Sequence, residues 1–464
     1  MRAACLLVAA SLAGCALKAP PSRDDLSRQA LPNLKLPETW AEPAAAGAAA
    51  GEPWLAGFRD TQLETFVREA LAHNPDLQVA AARVEQAAGY VKVAGATLYP
   101  QVNFLARGGG TLSGDSSGLE GVGVFANWEL DLWGRVRAGR AAASGQHISA
   151  SLDAEYARQS LAALVAKSWF LATEARLQKE IAEDMALAAG RQIGIAEDRL
   201  RVGSGDRNDV TLARASHASY RDSVRNLEYA YRQAVRALEA LAGRYPAAKL
   251  DVPPGLAAMP GPVPAGMPAE LLERRPDLVA AERRVAAAFY RVEEAKAARL
   301  PRISLTAAGT SISSELFVLK DRDNPVWSAG AAVTAPLYLG GQLQAQVAIR
   351  TAEQKQAIAE YGRVGARAFG EVESALSAAL ALEDRDQILR ELVAENVRAL
   401  DFANQRYRVG AGDLRAVQQQ SLALSAARTA LLRVQAERLV QRVNLHLALG
   451  GNFEKAGGSF EARP

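Results

Sequence analysis

Arg201-Val202-Gly203-Ser204-Gly205-Asp206 occurs twice, returning as Arg408-Val409-Gly410-Ala411-Gly412-Asp413 at an offset of 408 − 201 = 207 residues. Each copy interrupts a long helical region, and a pair of glycines is the usual way to end one helix and turn into the next. The equivalence runs far to both sides of each copy. The two stretches are therefore read as the tips of two long helical hairpins that the rest of the chain holds and aims.

Upstream of the tips lie helical stretches at about 137–201 and 343–408. At 1.5 Å per residue each is roughly 100 Å long. In the second, Tyr361, Gly365, Ala368, Val372, Ala375, Ala379 and Leu382 step by fours and threes, a coiled-coil seam with small residues that allow close approach. Downstream, shorter helices at about 208–242 and 414–449 end at Gly243 and Gly450. A further helix pair opens each copy, at Asn74-Pro75-Asp76-Leu77 and Arg275-Pro276-Asp277-Leu278, with 276 − 75 = 201. Between the helices the period falls to two. Val122, Val124, Ala126, Trp128, Leu130 and Leu132 alternate with small or polar residues, as do Trp327, Ala329, Ala331, Val333, Ala335, Leu337 and Leu339. Shorter candidate strands precede them at 101–108 and 303–312, with loops around 109–120 and 313–326. Such alternation is the signature of a transmembrane strand, and a soluble hairpin with one core-facing side gives it too. Trp128, Trp133 and Trp327 are either interfacial girdle residues or core residues. The offset grows from 201 to 207 across this region, so the second hairpin carries six extra residues, which loops tolerate.

Composition agrees with long helices packed through small side chains. The chain has 464 residues, only 6% of them aromatic, and a net charge of +3 that gives no strong pull toward nucleic acid. No segment offers the 18 predominantly apolar residues of a transmembrane helix, so a chain that crosses a membrane must do so as a closed β-barrel. At the start, Arg2 and the apolar run Ala3–Leu12 precede Leu12-Ala13-Gly14-Cys15. This resembles the bacterial lipoprotein signal, which implies cleavage before Cys15 and diacylglycerol plus N-acyl lipid on that cysteine. Ala16 and Leu17 after it imply outer-membrane sorting by the same rule. Cys5 leaves with the signal, so the mature chain has no internal disulfide.

The expected organisation is a signal peptide at 1–14, a lipidated and extended tether at 15–53, and a first repeat at 54–243. That repeat holds strands at about 101–132, a long helix at about 137–201 and a tip at 201–206. A Pro/Gly-rich linker at 244–269 follows, then a second repeat at 270–450, with strands at about 303–339, a long helix at about 343–408 and a tip at 408–413. A tail at 451–464 ends the chain. Prolines 20, 21, 32, 37, 43 and 53 exclude a long helix from the tether.

Several strings carry a family resemblance. Trp54-x-x-x-Phe58 with Asp60-x-x-Leu63 and Asn74-Pro75-Asp76-Leu77 resembles the start of TolC-like outer-membrane efflux proteins. Met267-Pro268-Ala269-Glu270-Leu271-Leu272-Glu273-Arg274-Arg275-Pro276-Asp277-Leu278 with Ala281-Glu282-Arg283-Arg284 is similar to the NodT-type lipoprotein branch that serves resistance–nodulation–division (RND) pumps. The resemblance covers about residues 54–450. It implies a mainly α fold with a β-barrel part: a homotrimer whose chains each give four strands to a twelve-stranded barrel, above a periplasmic α-barrel. It further implies a periplasmic adaptor meeting Val202, Gly203, Val409 and Gly410, and an inner-membrane pump supplying the energy. The plainer reading of those glycines is that they only make the turn. By the same resemblance Arg201, Asp206, Asp209, Tyr407, Arg408 and Asp413 are gate candidates. Ala416, Gln418 and Gln419 stand where some relatives carry acidic residues, which makes an acidic constriction ring doubtful.

No enzyme chemistry is legible. His73, His147, His217 and His446 are scattered, no phosphate loop occurs, and no metal-site spacing is present. Glu371 and Glu373 read more simply as a solvated helix face than as a catalytic pair. The expected function is an outer-membrane exit duct of a tripartite efflux system. Two alternatives stay open: the duct of a type I secretion or metal-efflux system, and a lipid-anchored periplasmic coiled-coil protein without a pore.

Overall fold

The computed structural model describes residues 17–34, 36–42, 54–107, 120–313 and 326–451. The expected signal peptide, Cys15, most of both strand loops and nearly all of the C-terminal tail lie outside the described residues. In chain order the first set of elements is α1 (Arg23–Ala30), α2 (Thr61–His73), α3 (Pro75–Ala96), β1 (Gln101–Arg107), β2 (Glu120–Leu130), α4 (Arg135–Arg201) and α5 (Arg207–Leu241). The second is α6 (Leu271–Arg274), α7 (Pro276–Ala297), β3 (Arg302–Ser313), β4 (Val326–Thr334), α8 (Gln342–Arg408) and α9 (Leu414–Ala448). Corresponding helices have equal lengths: 22 residues for α3 and α7, 67 for α4 and α8, 35 for α5 and α9. The fold is mostly helical with one small sheet.

The chain divides into two units. One comprises Met1–Leu34, Ala80–Ala154 and Asp277–Gly365; the other comprises Lys35–Val79, Glu155–Pro276 and Ala366–Pro464. In the first, β1 to β4 form one antiparallel sheet in sequence order. Strand β4 stops at Thr334 instead of running on to 339, because Pro336 has no N–H for the ladder. Strand β2 stops at Leu130, where Asp131 turns the chain by accepting the N–H groups of Val136 and Arg137 at 3.0 and 2.9 Å. Helices α4 and α7 approach closely here: a Cβ on Gly145 would lie 3.1 Å from Ala287 Cβ and 3.2 Å from the Arg283 carbonyl.

The tether departs from the expected extended chain. Between its prolines it forms α1, capped by Ser22, whose hydroxyl accepts the Asp25 N–H. Leu26 is buried against Ala281, Val285, Ile358 and Tyr361, and Arg23 pairs with Glu282 at 2.8 Å. The end of α1 crosses α8 at Gly362, where a Cβ would meet the Ala30 carbonyl at 2.5 Å, and Leu31 lies over Gly365. Eight residues between prolines suffice to bury one leucine, which the proline pattern alone could not reveal. Gly362 therefore admits the tether's backbone, and Gly365 admits the Leu31 side chain beside Leu278 of α7.

The second unit carries the aromatic core. Trp54, Phe58, Leu63, Phe66, Trp169 and Phe170 are buried together with Leu238, Leu439 and Val443. Asp60 caps α2 by accepting the Gln62 and Leu63 N–H groups, both at 3.0 Å, and its second oxygen takes the Trp169 indole N–H at 3.0 Å. The Trp54–Leu63 string is thus a core-and-cap device. Trp40 continues the tether's docking: it packs on Phe369 and donates to the Gly266 carbonyl at 3.0 Å. Nearby, the Glu373 carboxylate takes the Ala41 N–H at 2.9 Å.

Repeat-equivalent positions at the helix openings do the same job with different chemistry. Asn74 donates to the Leu241 carbonyl at 2.9 Å, and Arg275 donates to the Ala448 carbonyl at 3.1 Å. Each ties the start of one helix to the end of the helix that closes its repeat. Arg275 is fully buried and pairs with Glu371 at 2.7 Å. Glu371 and Glu373 are therefore partnered rather than merely solvated.

Candidate functional site

Register sorts the sheet's side chains into two faces. Val102, Phe104, Val124, Ala126, Trp128, Leu305, Ala307, Trp327, Ala329, Ala331 and Val333 share one. Gln101, Asn103, Asn127, Glu129, Ser304, Thr306, Ser328 and Thr334 share the other with Leu105 and Phe125, so that face is mixed and mainly polar. The apolar face is open rather than packed: Phe104 is 69% and Trp327 79% exposed. Trp128 and Trp133 use their indole N–H groups on the Leu98 and Pro301 carbonyls, at 2.9 and 2.6 Å, at the foot of the sheet. Neither Trp133 nor Trp327 is a core residue. Such a face suits contact with hydrocarbon, and among the described residues no helix is long and apolar enough to cross a membrane.

After each long helix in the chain, both tips close by the same hydrogen bonds. Ser204 N–H reaches the Arg199 carbonyl at 2.9 Å and Gly203 N–H the Leu200 carbonyl at 3.1 Å. Ala411 and Gly410 repeat this with Arg406 and Tyr407. The glycines take φ of +77° and +79°, the left-handed geometry that this helix ending requires. The second glycine of each tip serves close approach: a Cβ on Gly205 would lie 2.9 Å from the Leu200 nitrogen. Val202 and Val409 project outward, 75% and 78% exposed.

The gate candidates divide. Asp206 and Asp413 are the N-caps of α5 and α9, accepting the Asn208 N–H at 3.2 Å and the Ala416 N–H at 2.8 Å. An aspartate directly after a glycine pair and before a helix is a capping signal, so this role was legible. Arg201 pairs with Asp198 on its own helix, and Arg408 is exposed in the last turn of α8. Tyr407 and Asp209 do come together: the buried phenol lies 3.4 Å from Asp209 Oδ2. Burial and the Asp209 carboxylate both push the Tyr407 phenol above its ordinary range. Sequence reasoning missed Arg199, which stacks 4.5 Å over the Tyr407 ring. Only its recurrence as Arg406, at the shared offset, marked it in the sequence.

No group of three or more His, Cys, Asp or Glu that could hold a metal is gathered among the described residues. His446 is stacked on Trp54 at 5.8 Å, and burial pushes its pKa down to about 4.

A family model described as outer membrane efflux protein matches residues 66–244 and 267–451. The chain is 30% identical to the pyoverdine export outer membrane protein OpmQ of Pseudomonas putida, over 97% of each chain. It is also 30% identical to the cation efflux system protein CusC of Escherichia coli, over 87% of this chain and 88% of that one. A solved structure of CusC shares its fold with a TM-score of 0.82 at 27% identity, covering 94% of this chain and 99% of the other. With both repeats matched, and the likeness in sequence and fold running nearly end to end, the chain belongs to the outer membrane efflux protein family.

Proposed function

We propose that three copies of this chain close a twelve-stranded barrel in the outer membrane, and that their helical hairpins enclose a periplasmic duct. Cargo delivered by an inner-membrane RND-type pump through a periplasmic adaptor crosses it passively. The observation that carries this reading is the sheet: four strands with an open apolar face and two terminal strands, β1 and β4. In hydrocarbon an unpaired strand edge costs several kcal/mol per amide, and four strands cannot close on themselves. Pairing β1 of one copy with β4 of the next removes both edges. The relatives support the efflux role and differ in what they are named for, pyoverdine and cations. The exit duct therefore takes what the pump supplies.

Lipid on Cys15 fits the same picture. Leu17, the second residue after it in the chain, lies near Gly134 at the foot of the sheet. The exposed Val202-Gly203 and Val409-Gly410 tips are the adaptor contact. The Tyr407–Asp209 contact narrows the duct, with Arg201 and Arg408 beside it. Asp206 and Asp413 act there only by holding helix starts.

Purified lipidated protein tests the reading. A heat-modifiable trimer that conducts ions in a planar bilayer is expected, and Asp209→Ala should raise conductance with the trimer intact. Cys15→Ser protein should stay membrane-inserted. A non-conducting monomer that Cys15→Ser releases from membranes would instead identify a periplasmic coiled-coil protein.

A further inference from the structure

Strand pairing inside the chain follows the duplication. Gln101 faces Asn127 between β1 and β2, and Arg302 faces Thr334 between β3 and β4. Here 302 − 101 = 201 and 334 − 127 = 207, the two offsets that relate the repeats. The joint between the repeats, β2 with β3, sets Asn127 against Thr306 and Ala126 against Ala307. Strands β1 and β4 are the two ends of the sheet, so the image of that joint falls between two copies. The same offsets then set Thr334 against Leu105 (306 − 201) and Val333 against Ala106 (307 − 201) of the second copy. This register keeps Val333 on the face that carries Phe104, whereas a slip of one residue would turn the apolar side of β4 to the other face.

The helices leave a matching gap. Helix α7 is held by α4, through Gly145 and the Arg284–Asp153 ion pair, and by α8, where Val285 clusters with Ile358 and Tyr361. Its repeat equivalent α3 buries none of its residues, and Val93 is 69% exposed. At the shared offsets Arg284 becomes Arg83 and Asp153 becomes Glu360, both exposed or half-buried in the single chain. The close approach of Glu294 to Gly139 becomes Val93 with Gln346. One turn from Gln346 stands Ile349, 51% exposed, where α4 has the buried Ala142. An arginine thus falls opposite a carboxylate, and one exposed apolar side chain beside another.

We propose that the joint between copies reuses the joint between repeats. Strand β4 pairs with β1 of a second copy in the register Thr334–Leu105, and α8 takes that copy's α3 with Glu360 against Arg83. In the single chain Glu360 pairs with Arg363 on its own helix, so Arg83 joins an existing ion pair. Copies recognise one another through the geometry that folds each chain. This rests on the barrel reading given above.

Cysteine pairs in the full-length protein, oxidised in outer membranes, test the register; Cys5 and Cys15 are the chain's only cysteines. Thr334→Cys with Leu105→Cys should link copies severalfold better than Thr334→Cys with Asn103→Cys or Arg107→Cys. Those two positions share the strand face but lie diagonally, too far for a disulfide without backbone movement. Arg83→Glu should lower the heat-modifiable trimer roughly fivefold, the upper end for an exposed ion pair, and adding Glu360→Arg should restore it. A dominant link to position 103 or 107 overturns the reused register while leaving a barrel. Charge reversal without loss, or without rescue, overturns the helix joint. Monomers that link through none of the three pairs and never conduct overturn the duct reading, and this joint with it.

Discussion

His446 shows what burial does to one titratable side chain. It is stacked on Trp54, and desolvation, helped by nearby Arg442, holds its pKa near 4, against 6.5 when unfolded. The unfolded chain therefore takes up a proton at this position before the folded one does. Stability is full above pH 6.5 and is lost as pH falls toward 4, by about 3 kcal/mol for this group. We expect the melting temperature to fall across that interval and to fall less in His446→Phe, as read by circular dichroism at successive pH values. A single backbone position gives a second expectation. At Gly205 a Cβ would press on the Leu200 nitrogen and the Arg199 carbonyl carbon. Gly205→Ala should distort the first tip, and protease cleavage near 199–206 should quicken. Capping by Asp206 and Asp413 was legible from the Gly-Asp order, because a cap is a local device. Arg199 was not, because its cross-hairpin partner lies 208 residues away.

At the scale of elements, the linker between the repeats shows how an irregular segment is fixed. Glu239, buried near the end of α5, accepts the N–H groups of Ala248, Lys249 and Leu250 at 2.7, 2.7 and 3.0 Å. Burial alone would raise its pKa, but these three donors overcome it and the net shift is downward. Ala248 is held at φ +57°, a left-handed geometry costing an alanine about 1–2 kcal/mol. Glu239→Ala should strip the donors of their acceptor and cost about 1.5–3 kcal/mol, whereas Ala248→Gly should stabilise slightly. Denaturant unfolding of the two variants checks both signs. The tether offers a parallel case. Gly362→Ala should push the Ala30 carbonyl off α8. Faster proteolysis within 17–34, with the helical circular dichroism unchanged, is the expected readout. The proline spacing of this segment correctly barred a long helix. It could not show that eight residues would still dock, since that depends on a groove formed by α7 and α8.

For the molecule as a whole, the proposed barrel rests on the sheet. Phe104, mid-strand, and Asn103 are neighbours in sequence and lie on opposite faces of the sheet. In the barrel proposed above, Phe104→Arg should cost about 2–4 kcal/mol near the bilayer midplane, and Asn103→Arg far less. The heat-modifiable fraction recovered from outer membranes should fall for the first and hold for the second.

The duplication, the helix lengths, the turns at 201–206 and 408–413 and the alternation of the strands could all be read from the sequence. Each rests on short-range periodicity or on glycine and proline geometry, which operate over a few residues. Tertiary structure alone decided three things: that the apolar strand face is left open, that the tether is docked, and that Arg199 reaches Tyr407. Those outcomes depend on contacts between residues far apart in the chain, and no local period encodes which distant surface a side chain will meet.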